Sequence, residues 1–432
     1  MFSESTHGTK VLFVITAFLS GFCAGCSRRD IPVLRVANWA GPEEIAIEEK
    51  NLDDFRETHP DLRVVLEPIP RDYKQKILTS VAGRTAPDVF LLDAINVPEF
   101  LQAEVLLNLK PFIAELGVDI RQFHPTAFAI AQRNNTLYAL PKDFTPLVMY
   151  YNKKLFDKAG IRYPSSDWTW DDFVELARRL TLDLDNDGRI DQYGTVAQPQ
   201  FSTWAPWVWS NRGDFLDASG EKATGYLDGE ATVAALQFLL DLEKKHHVAA
   251  DSAVMKSLGG DLGMFLSGRV AMAVSGHWWM PQIKGLTEEN EVQAGIAPIP
   301  VPSDGEHVTI LYEAGWAVAR QTRHPTLAAE LAIHLSNETT NRRRCAQGVA
   351  IPANLALSRE IIDQDVSGLE KVFFDEVRFA REPWGARVSH FSLLEKCAEE
   401  AFAAALLLNR DLRKELHLAA QRIDAELMKR SP

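Results

Sequence analysis

The sequence predicts an α/β protein with a parallel, doubly wound sheet and two domains. Short apolar runs alternate with longer helical patterns near the N-terminus, an order typical of βαβ units. The run 87–93 is nearly all apolar, as expected for a strand whose sheet is covered on both faces. The chain has 432 residues, more than one hydrophobic core usually supports, so we expect two domains.

Strands and helices alternate regularly in the first part of the chain. The predicted strands are 34–37, 63–68 and 87–93, and the predicted helices are 43–58, 72–82 and one that begins at Val97. This β-α-β-α-β-α order implies parallel strands joined by helices.

The middle of the chain has a different pattern, and helices dominate its C-terminal part. The predicted strands are 147–152 and 270–274, and the predicted helices are 153–159, 170–180, 232–246, 261–266 and most of the chain from Pro325. A tryptophan-rich stretch, 204–209, interrupts this regularity. The sequence has neither a repeat nor a low-complexity linker, so we expect the chain to cross between its two domains several times.

The charge balance excludes one class of partner. The formal net charge is −13, whereas a nucleic-acid-binding protein needs a basic patch for the phosphates. An acidic balance suits a soluble protein outside the cytoplasm.

The N-terminus reads as an export signal. Lys10 precedes an apolar run, 11–22, which is shorter than the roughly 20 residues of a membrane-spanning helix. The following Cys23-Ala24-Gly25-Cys26 resembles a bacterial lipobox, with Cys23 in place of the usual leucine. We therefore expect 1–25 to be a signal peptide and Cys26 to carry a lipid that anchors the exported protein to a membrane, facing the periplasm or the cell exterior. An ordinary cleaved signal and an uncleaved anchor are the alternatives.

Two cysteines, Cys345 and Cys397, remain after Cys26. They are able to form one disulfide in an oxidising compartment. Two buried free thiols are the alternative, and the sequence leaves both open.

Five groups of segments, spread over nearly the whole mature chain, carry recurring motifs. They are 86–89 with Asp93, 138–141 with 149–156, 168–173, 265–272 with 276–278, and 314–318 with 328–331. In this order and spacing they resemble the extracellular solute-binding proteins of carbohydrate ABC transporters, the group that includes maltose-binding protein.

The resemblance implies the two-lobe, type II periplasmic-binding-protein fold, with a ligand cleft between lobes that are joined by crossing hinge strands. It assigns 31–142 plus 273–322 to the N-lobe and 143–272 plus 323–432 to the C-lobe. The expected crossings lie near 144–145, 274–275 and 319–320. Ligands of open α/β sheets bind beyond the carboxyl ends of the strands, so both lobes should contribute to one cleft.

Sugar recognition needs aromatic rings that stack on C–H faces and polar side chains that bind hydroxyl groups. Such mixtures follow several predicted strand ends. The candidate ligand-binding residues are Trp39, Glu44, Asp93, Asn96, Asp143, Trp204, Trp207, Trp278, Glu313, Trp316 and Arg387. For the tryptophans the alternative is packing within a lobe, for Asp93 a helix cap, and for Arg387 a surface ion pair.

One acidic loop resembles a calcium-binding sequence. Asp183, Asp185 and Asp187 precede Gly188, and Asp191 follows, an alternation typical of an EF-hand loop. The twelfth position is Gly194 rather than glutamate. We expect a structural Ca2+, with a metal-free Asp/Asn/Gly turn as the alternative; no other cofactor is required.

The main prediction is a non-enzymatic binding protein that captures a sugar or oligosaccharide by lobe closure. It would act as a monomer and deliver its ligand to the permease subunits of an ABC importer. A non-sugar ligand, such as a polyamine or an organic phosphate, is one alternative. An exported glycoside hydrolase with two catalytic carboxylates is another, although no nucleophile elbow, metalloprotease or phosphate-loop motif is present in the sequence.

Overall fold

The computed structural model describes residues 31–133, 135–197, 199–286, 289–290, 292–349 and 351–430. The predicted signal peptide and Cys26 lie outside the described residues. The strands are β1 (Val33–Asn38), β2 (Arg63–Pro68), β3 (Val89–Asp93), β4 (Gln132–Arg133), β5 (Thr136–Leu137), β6 (Ala139–Pro146), β7 (Val148–Asn152), β8 (Thr195–Val196), β9 (Ala249–Ala250), β10 (Met272–Ser275), β11 (Ala294–Ala297), β12 (Thr309–Val318), β13 (Ile351–Pro352) and β14 (Ala380–Arg381).

The helices account for most of the remaining chain. They are α1 (Pro42–Thr58), α2 (Tyr73–Ala82), α3 (Val97–Gln102), α4 (Lys110–Glu115), α5 (Pro125–Ile130), α6 (Lys153–Ala159), α7 (Trp170–Arg179), α8 (Ala205–Ser210), α9 (Glu230–Lys244), α10 (Ser252–Ser257), α11 (Gly260–Leu266), α12 (Met280–Lys284), α13 (Pro325–Leu335), α14 (Glu338–Ala346), α15 (Leu355–Gln364), α16 (Leu369–Val377), α17 (Phe391–Leu408) and α18 (Leu412–Arg430). Among the described residues, no helix is both long and apolar enough to span a bilayer.

The larger sheet, which we call the large sheet, has the strand order β13-β6-β12-β3-β1-β2, with β14 paired to the start of β12. Strands β1, β2 and β3 are parallel, as the alternating pattern predicts. Strand β12 is antiparallel to both β3 and β6. The sheet is therefore mixed rather than wholly parallel, because β12 and β6 enter it without a βα crossover from the N-terminal units.

The second sheet, which we call the small sheet, is the antiparallel trio β10-β7-β11. Its central strand β7 is buried on both faces. Val148 and Tyr150 pack into the core that also fills the large sheet, whereas Met149 and Tyr151 pack into a second core. An apolar run buried on two sides explains why 147–152 contains so few polar residues.

Strand pairing shows how the predicted lobe segments divide between the two sheets. Strands β10 and β11 pair with β7 in the small sheet, whereas β12, from the same segment 273–322, pairs with β3 in the large sheet. Likewise, helix α13 packs against β12 and β3, and β13 pairs with β6, so part of 323–432 belongs to the large sheet. Of the three predicted crossings, the one near 144–145 lies closest to a switch of sheet, because β6 ends at Pro146 and β7 begins at Val148.

The two cysteines of the described chain are both buried and form no disulfide with each other. Cys345 lies on α14 and Cys397 on α17. The Cys345–Cys397 disulfide that the sequence left open is therefore not formed.

A buried ion pair ties α1 to α14 beside the large sheet. Arg344 has no exposed side-chain surface, and its Nε and Nη2 atoms donate to the two carboxylate oxygens of Glu48 at 2.6 and 2.8 Å. The third nitrogen donates to the carbonyl oxygen of Leu335 at 2.7 Å. Burial opposes ionisation of Glu48, but the Arg344 charge outweighs it and lowers the pKa of Glu48.

We expect Arg344→Leu to lower the free energy of unfolding by about 3–5 kcal/mol, because it leaves the Glu48 carboxylate buried without a counter-ion. Urea denaturation followed by circular dichroism measures this loss. Arg342→Leu is the matched control: Arg342 forms exposed ion pairs with Glu360 and Glu338, and its loss should cost about 1 kcal/mol or less. Equal losses for the two variants would contradict this account of the pair.

Candidate functional site

A cavity of about 300 Å³ lies between the large sheet and segments adjoining the small sheet. The large sheet contributes residues at the ends of β1 and β3 and along β6 and β12. The facing wall comes from Ser202 and Thr203 and from the short 3-10 turn His277–Trp279 that follows β10. Six of the predicted residues line this cavity: Trp39, Glu44, Asp93, Asp143, Trp278 and Glu313.

Strand β12 sets the positions of three of these carboxylates. Ala314 is the pairing partner of Asp93 on β3 and, on its other side, of Asp143 on β6. Glu313 is the next residue along β12. The register with β6 shifts between Ala314 and Gly315, and such a bulge re-aims nearby side chains. A Cβ on Gly315 would lie 2.8 Å from the Leu140 carbonyl oxygen, so glycine here allows close strand approach rather than ligand approach.

The carboxyl groups of Glu313 and Asp93 have few neighbouring groups that would stabilise a negative charge. Glu313 is 3% exposed, and its Oε1 atom has no hydrogen-bond partner among the described residues. Burial, followed by the charges of Asp93 and Asp143, raises the pKa of Glu313 well above its ordinary range. The carboxylate of Asp93 is partly open to the cavity but otherwise surrounded by protein. Burial raises the pKa of Asp93 to about 7, although its hydrogen bond from the Ile95 amide opposes the shift.

Lys142 is the basic counterpart of the cavity acids. Its Nζ atom donates to Asp143 at 2.6 Å, and its side chain is 7% exposed. Burial lowers the pKa of Lys142, but Asp143 and Glu44 outweigh burial, so the net shift is upward. Burial is also the main reason that the pKa of Glu44 is raised. The ammonium group of Lys142 therefore offsets part of the negative charge of Asp143 and Glu44.

Aromatic rings line two sides of the cavity. Trp39 packs edge-on against Tyr73 at a centroid distance of 5.2 Å. Trp278 is 49% exposed and meets Tyr312 edge-on at 6.2 Å. The Trp278 ring lies over Gly276, where an added Cβ would fall 2.3 Å from a ring atom. The glycine before His277 therefore permits the ring orientation that faces the cavity.

His277 is a cavity residue that the sequence prediction passed over in favour of its neighbour. Its Nε2 atom lies 2.8 Å from Glu370 on α16, and its backbone amide donates to the Thr145 hydroxyl at 2.8 Å. Burial opposes ionisation of Glu370, but His277 and Lys284 outweigh it and lower its pKa to about 2. An ionised Glu370 makes Nε2 the donor and leaves Nδ1 facing no partner among the described residues.

Tyr312, Thr145, Ser202, Thr203 and Lys142 also line the cavity without having been predicted. Tyr312 donates to the Ser202 carbonyl oxygen at 2.6 Å and so joins the two walls. Only the pairing of β12 with β6, which are far apart in sequence, brings these residues together.

Three of the predicted tryptophans, Trp204, Trp207 and Trp316, are fully buried and lie outside the cavity lining. Trp204 packs on Phe402 at 4.8 Å, and Trp207 packs on Phe238 at 5.7 Å. The 204–209 stretch is mostly the buried helix α8. Trp316 lies beneath the Arg344 guanidinium. Their size makes them core-forming residues.

Asn96 and Arg387 also lie outside the cavity lining. Asn96 is the N-cap residue of α3. Arg387 stacks 3.9 Å from the centroid of the Trp384 ring and donates to the Ala218 carbonyl oxygen. The structure thus places Arg387 against Trp384 and away from this cavity, and its role as a ligand clamp stays a prediction.

The acidic loop brings Asp183, Asp185 and Asp187 together, with one carboxylate oxygen of each within 4.8 Å of the others. Asp191 is outside this cluster: its carboxylate accepts from the Leu184 amide at 2.8 Å. The backbone amides of Asp187 and Gly188 donate to the clustered acids, as in an Asx turn. Calcium binding here stays a prediction.

A cleft that offers acids and rings between two sheets defines a protein that binds a small polar molecule. The chain belongs to the bacterial extracellular solute-binding protein family, whose profile matches residues 40–340. Its fold is the two-lobe type II periplasmic-binding-protein fold of the solved structures that resemble it.

Known proteins that resemble the chain bind different small molecules. The arabinooligosaccharide-binding protein of Halalkalibacterium halodurans is 25% identical over 308 residues, which cover 70% of this chain and 67% of that protein. An ABC substrate-binding protein of Listeria monocytogenes, solved with cycloalternan, superimposes with a TM-score of 0.83 at 21% identity over 92% of this chain and 100% of the other. UgpB of Mycobacterium tuberculosis, solved with glycerophosphocholine, superimposes with a TM-score of 0.77 at 21% identity. The match covers 92% of this chain and 98% of UgpB.

We expect Asp93→Asn to raise the melting temperature of the ligand-free protein at pH 8 by about 2 °C or more. Folding raises the pKa of Asp93 to about 7, so the ionised carboxylate costs folding free energy. That cost grows as the pH rises from about 4 to about 7 and is absent below this range. Asparagine keeps an acceptor for the Ile95 amide.

Thermal melts at pH 4.5 and pH 8 measure this effect. The stabilisation should shrink at pH 4.5, where aspartate itself is protonated. A variant that is less stable than the native protein at pH 8 would show that the ionised Asp93 is well compensated.

Proposed function

We propose that the protein captures a sugar or oligosaccharide in this cleft and delivers it to the membrane permease of an ABC importer. The observation that carries the proposal is the combination of exposed ring faces with buried acceptors in one cavity. Trp39, Trp278 and Tyr312 offer surfaces for the C–H faces of a sugar ring. Asp93, Glu313 and neighbouring polar groups offer hydrogen-bond partners for its hydroxyls.

Relatives of known ligand favour this class. The relative from Halalkalibacterium halodurans is named as an arabinooligosaccharide-binding protein, and the Listeria monocytogenes protein was solved with cycloalternan. The chain spans about two thirds of the length of the curated relatives it matches. Sugar capture is therefore our proposal for this chain, supported by the cavity chemistry.

An organic phosphate is the less favourable ligand, although one similar structure holds glycerophosphocholine. A phosphate needs cationic donors or helix N-terminal amides. No arginine is among the cavity residues in the described chain, and Lys142 is already paired with Asp143. The acids that line the cavity outnumber its basic side chains, which disfavours an anionic ligand.

Binding requires no chemistry, so we propose that the protein is not an enzyme. Its ligand would bridge the large-sheet wall and the wall formed by Ser202, Thr203 and Trp278, which would favour a closed arrangement. After export, a lipid on Cys26 would anchor the protein, as a monomer, to a membrane, where it faces the periplasm or the cell exterior. A lipoprotein of Streptomyces antibioticus, 25% identical over 310 residues, supports the anchoring.

Calorimetry against a panel of mono- and oligosaccharides tests the proposal. We expect saturable binding of at least one sugar with no turnover of glycosides. Hydrolysis of a glycoside, lost on substitution of the cavity acids, would instead favour the hydrolase alternative. A complete absence of sugar binding alongside binding of an organic phosphate would overturn the proposed ligand class.

Trp278→Ala should weaken sugar binding by about 1–3 kcal/mol, because its half-exposed ring offers the sugar a large apolar surface in the cavity wall. Gly276→Ala should weaken it similarly, since the added methyl group displaces the Trp278 ring. Trp170→Ala, a tryptophan outside the cavity lining, is the control. Native affinity in both cavity variants would remove Trp278 from the site.

A further inference from the structure

On the basis of the proposed function, we propose that the cleft selects a sugar that carries a positively charged amino group. The ammonium group would be held jointly by Asp93, Asp143 and Glu313. Two independent observations, the charge of the cavity and an unpartnered buried oxygen, point to such a ligand.

The cavity walls carry more negative charge than a neutral ligand needs. Glu44, Asp93, Asp143 and Glu313 line it, and the ammonium group of Lys142 is paired with Asp143. The other basic side chain among the described lining residues is His277, which Glu370 engages from behind.

Glu313 supplies the second observation. Its side chain is buried and lines the cavity, yet Oε1 has no partner among the described residues. A buried acceptor without a donor costs about 1–3 kcal/mol, and more when it is charged. Burial raises the pKa of Glu313, and a cationic donor would favour its ionised form, which offers acceptors only.

The strand register places two of the three acids on one face of the large sheet. Asp93 and Asp143 flank Ala314 as its two cross-strand partners, each with a Cα separation of about 4.5–5.5 Å from it. Side chains alternate along a strand, so Glu313 is not aligned with them by this register, but it lines the same cavity, and the charges of Asp93 and Asp143 both act on it. A hydroxyl group has one hydrogen to donate, whereas an ammonium group has three, which matches three carboxylates.

The aromatic rings explain why the cation would belong to a sugar. Trp278 and Tyr312 stand beside the acids, and their ring faces attract both C–H groups and cations. Trp39 lies on the large-sheet side of the cavity. Flat rings beside a cluster of acids suit a ring-shaped ligand with one charged substituent.

The affinity for such a ligand should fall below pH 7. Burial raises the pKa of Asp93 to about 7 and raises that of Glu313 well above its ordinary range, and the charge of Asp143 adds to both shifts. Acidification below pH 7 therefore removes the negative charge of Asp93 while the amine stays charged. The other charges acting on Asp93 are Lys74 and Glu395, Arg133 acts on Glu313, and Glu44 and Lys142 adjoin Asp143. Affinity for a neutral sugar should change less between pH 7 and pH 5.5.

Calorimetry of the full-length protein at low ionic strength tests the proposal with matched sugars that differ only at C2. The sets are glucose, glucosamine and N-acetylglucosamine, the corresponding galactose and mannose sets, and cellobiose, the chitosan disaccharide and diacetylchitobiose. We expect the amine of at least one set to bind about tenfold or more tighter than its hydroxyl and acetylated counterparts. Equal or tighter binding of the neutral sugars would overturn the proposal and leave sugar capture standing.

Two other outcomes would overturn both the proposal and the sugar assignment. One is the absence of binding by every sugar in the series. The other is binding of spermidine, used as a probe of a sugar-free cation, without binding of any sugar.

Variants of the acids test the assignment to specific residues. Glu313→Gln should bring the affinity ratio between the amine and its hydroxyl counterpart to within about threefold of one, and Asp93→Asn should reduce the ratio in the same direction. Glu360→Gln removes an exposed acid paired with Arg342 and should keep the native ratio. Thermal melts show whether each variant is folded. A native ratio in both folded cavity variants would overturn the proposal.

Discussion

The pairing of β12 with both β3 and β6 is the constraint on which the cleft depends. It places Ala314 between Asp93 and Asp143 and brings Glu313 to the same cavity. The register shift beside Gly315 is possible because a glycine fits against the Leu140 carbonyl. The same strand carries Tyr312, whose hydroxyl reaches Ser202 on the facing wall. One strand thus supplies an acid, a ring and a bridge between the two walls.

Burying an ionised acid lowers the stability of the fold unless a partner stabilises its charge. Glu48 is as buried as Glu313, but Arg344 binds both of its oxygens and keeps it ionised. Glu313 lacks such a partner, and its pKa rises accordingly. The contrast between two buried glutamates in one chain separates a structural ion pair from a binding group. Unsatisfied groups of this kind are concentrated at functional sites.

Local sequence pattern predicts what lies at the ends of strands but not which way large side chains face. Trp39 and Asp93 follow apolar strands directly, so their position at the cleft was accessible to sequence reasoning. Trp204, Trp207 and Trp316 are also tryptophans near predicted strand ends or loops, but they pack into cores. Their burial depends on partners that are distant in sequence, namely Phe402, Phe238 and Arg344. The sheet to which β10 and β11 belong was not predictable for the same reason, because both pair with β7, which is distant in sequence.

The central claim is that ligand binds in the cleft beside β12, and Trp278 reports on it. This tryptophan is 49% exposed at the cavity wall, so a bound sugar should cover it and change its fluorescence. The most direct measurement is a fluorescence titration of the native protein and of Trp278→Phe with the tightest-binding sugar of the calorimetric panel. We predict a saturable change in the native protein that is largely lost in the variant while calorimetry still detects binding. An identical fluorescence change in both proteins would show that the ligand does not cover Trp278 and would contradict the account.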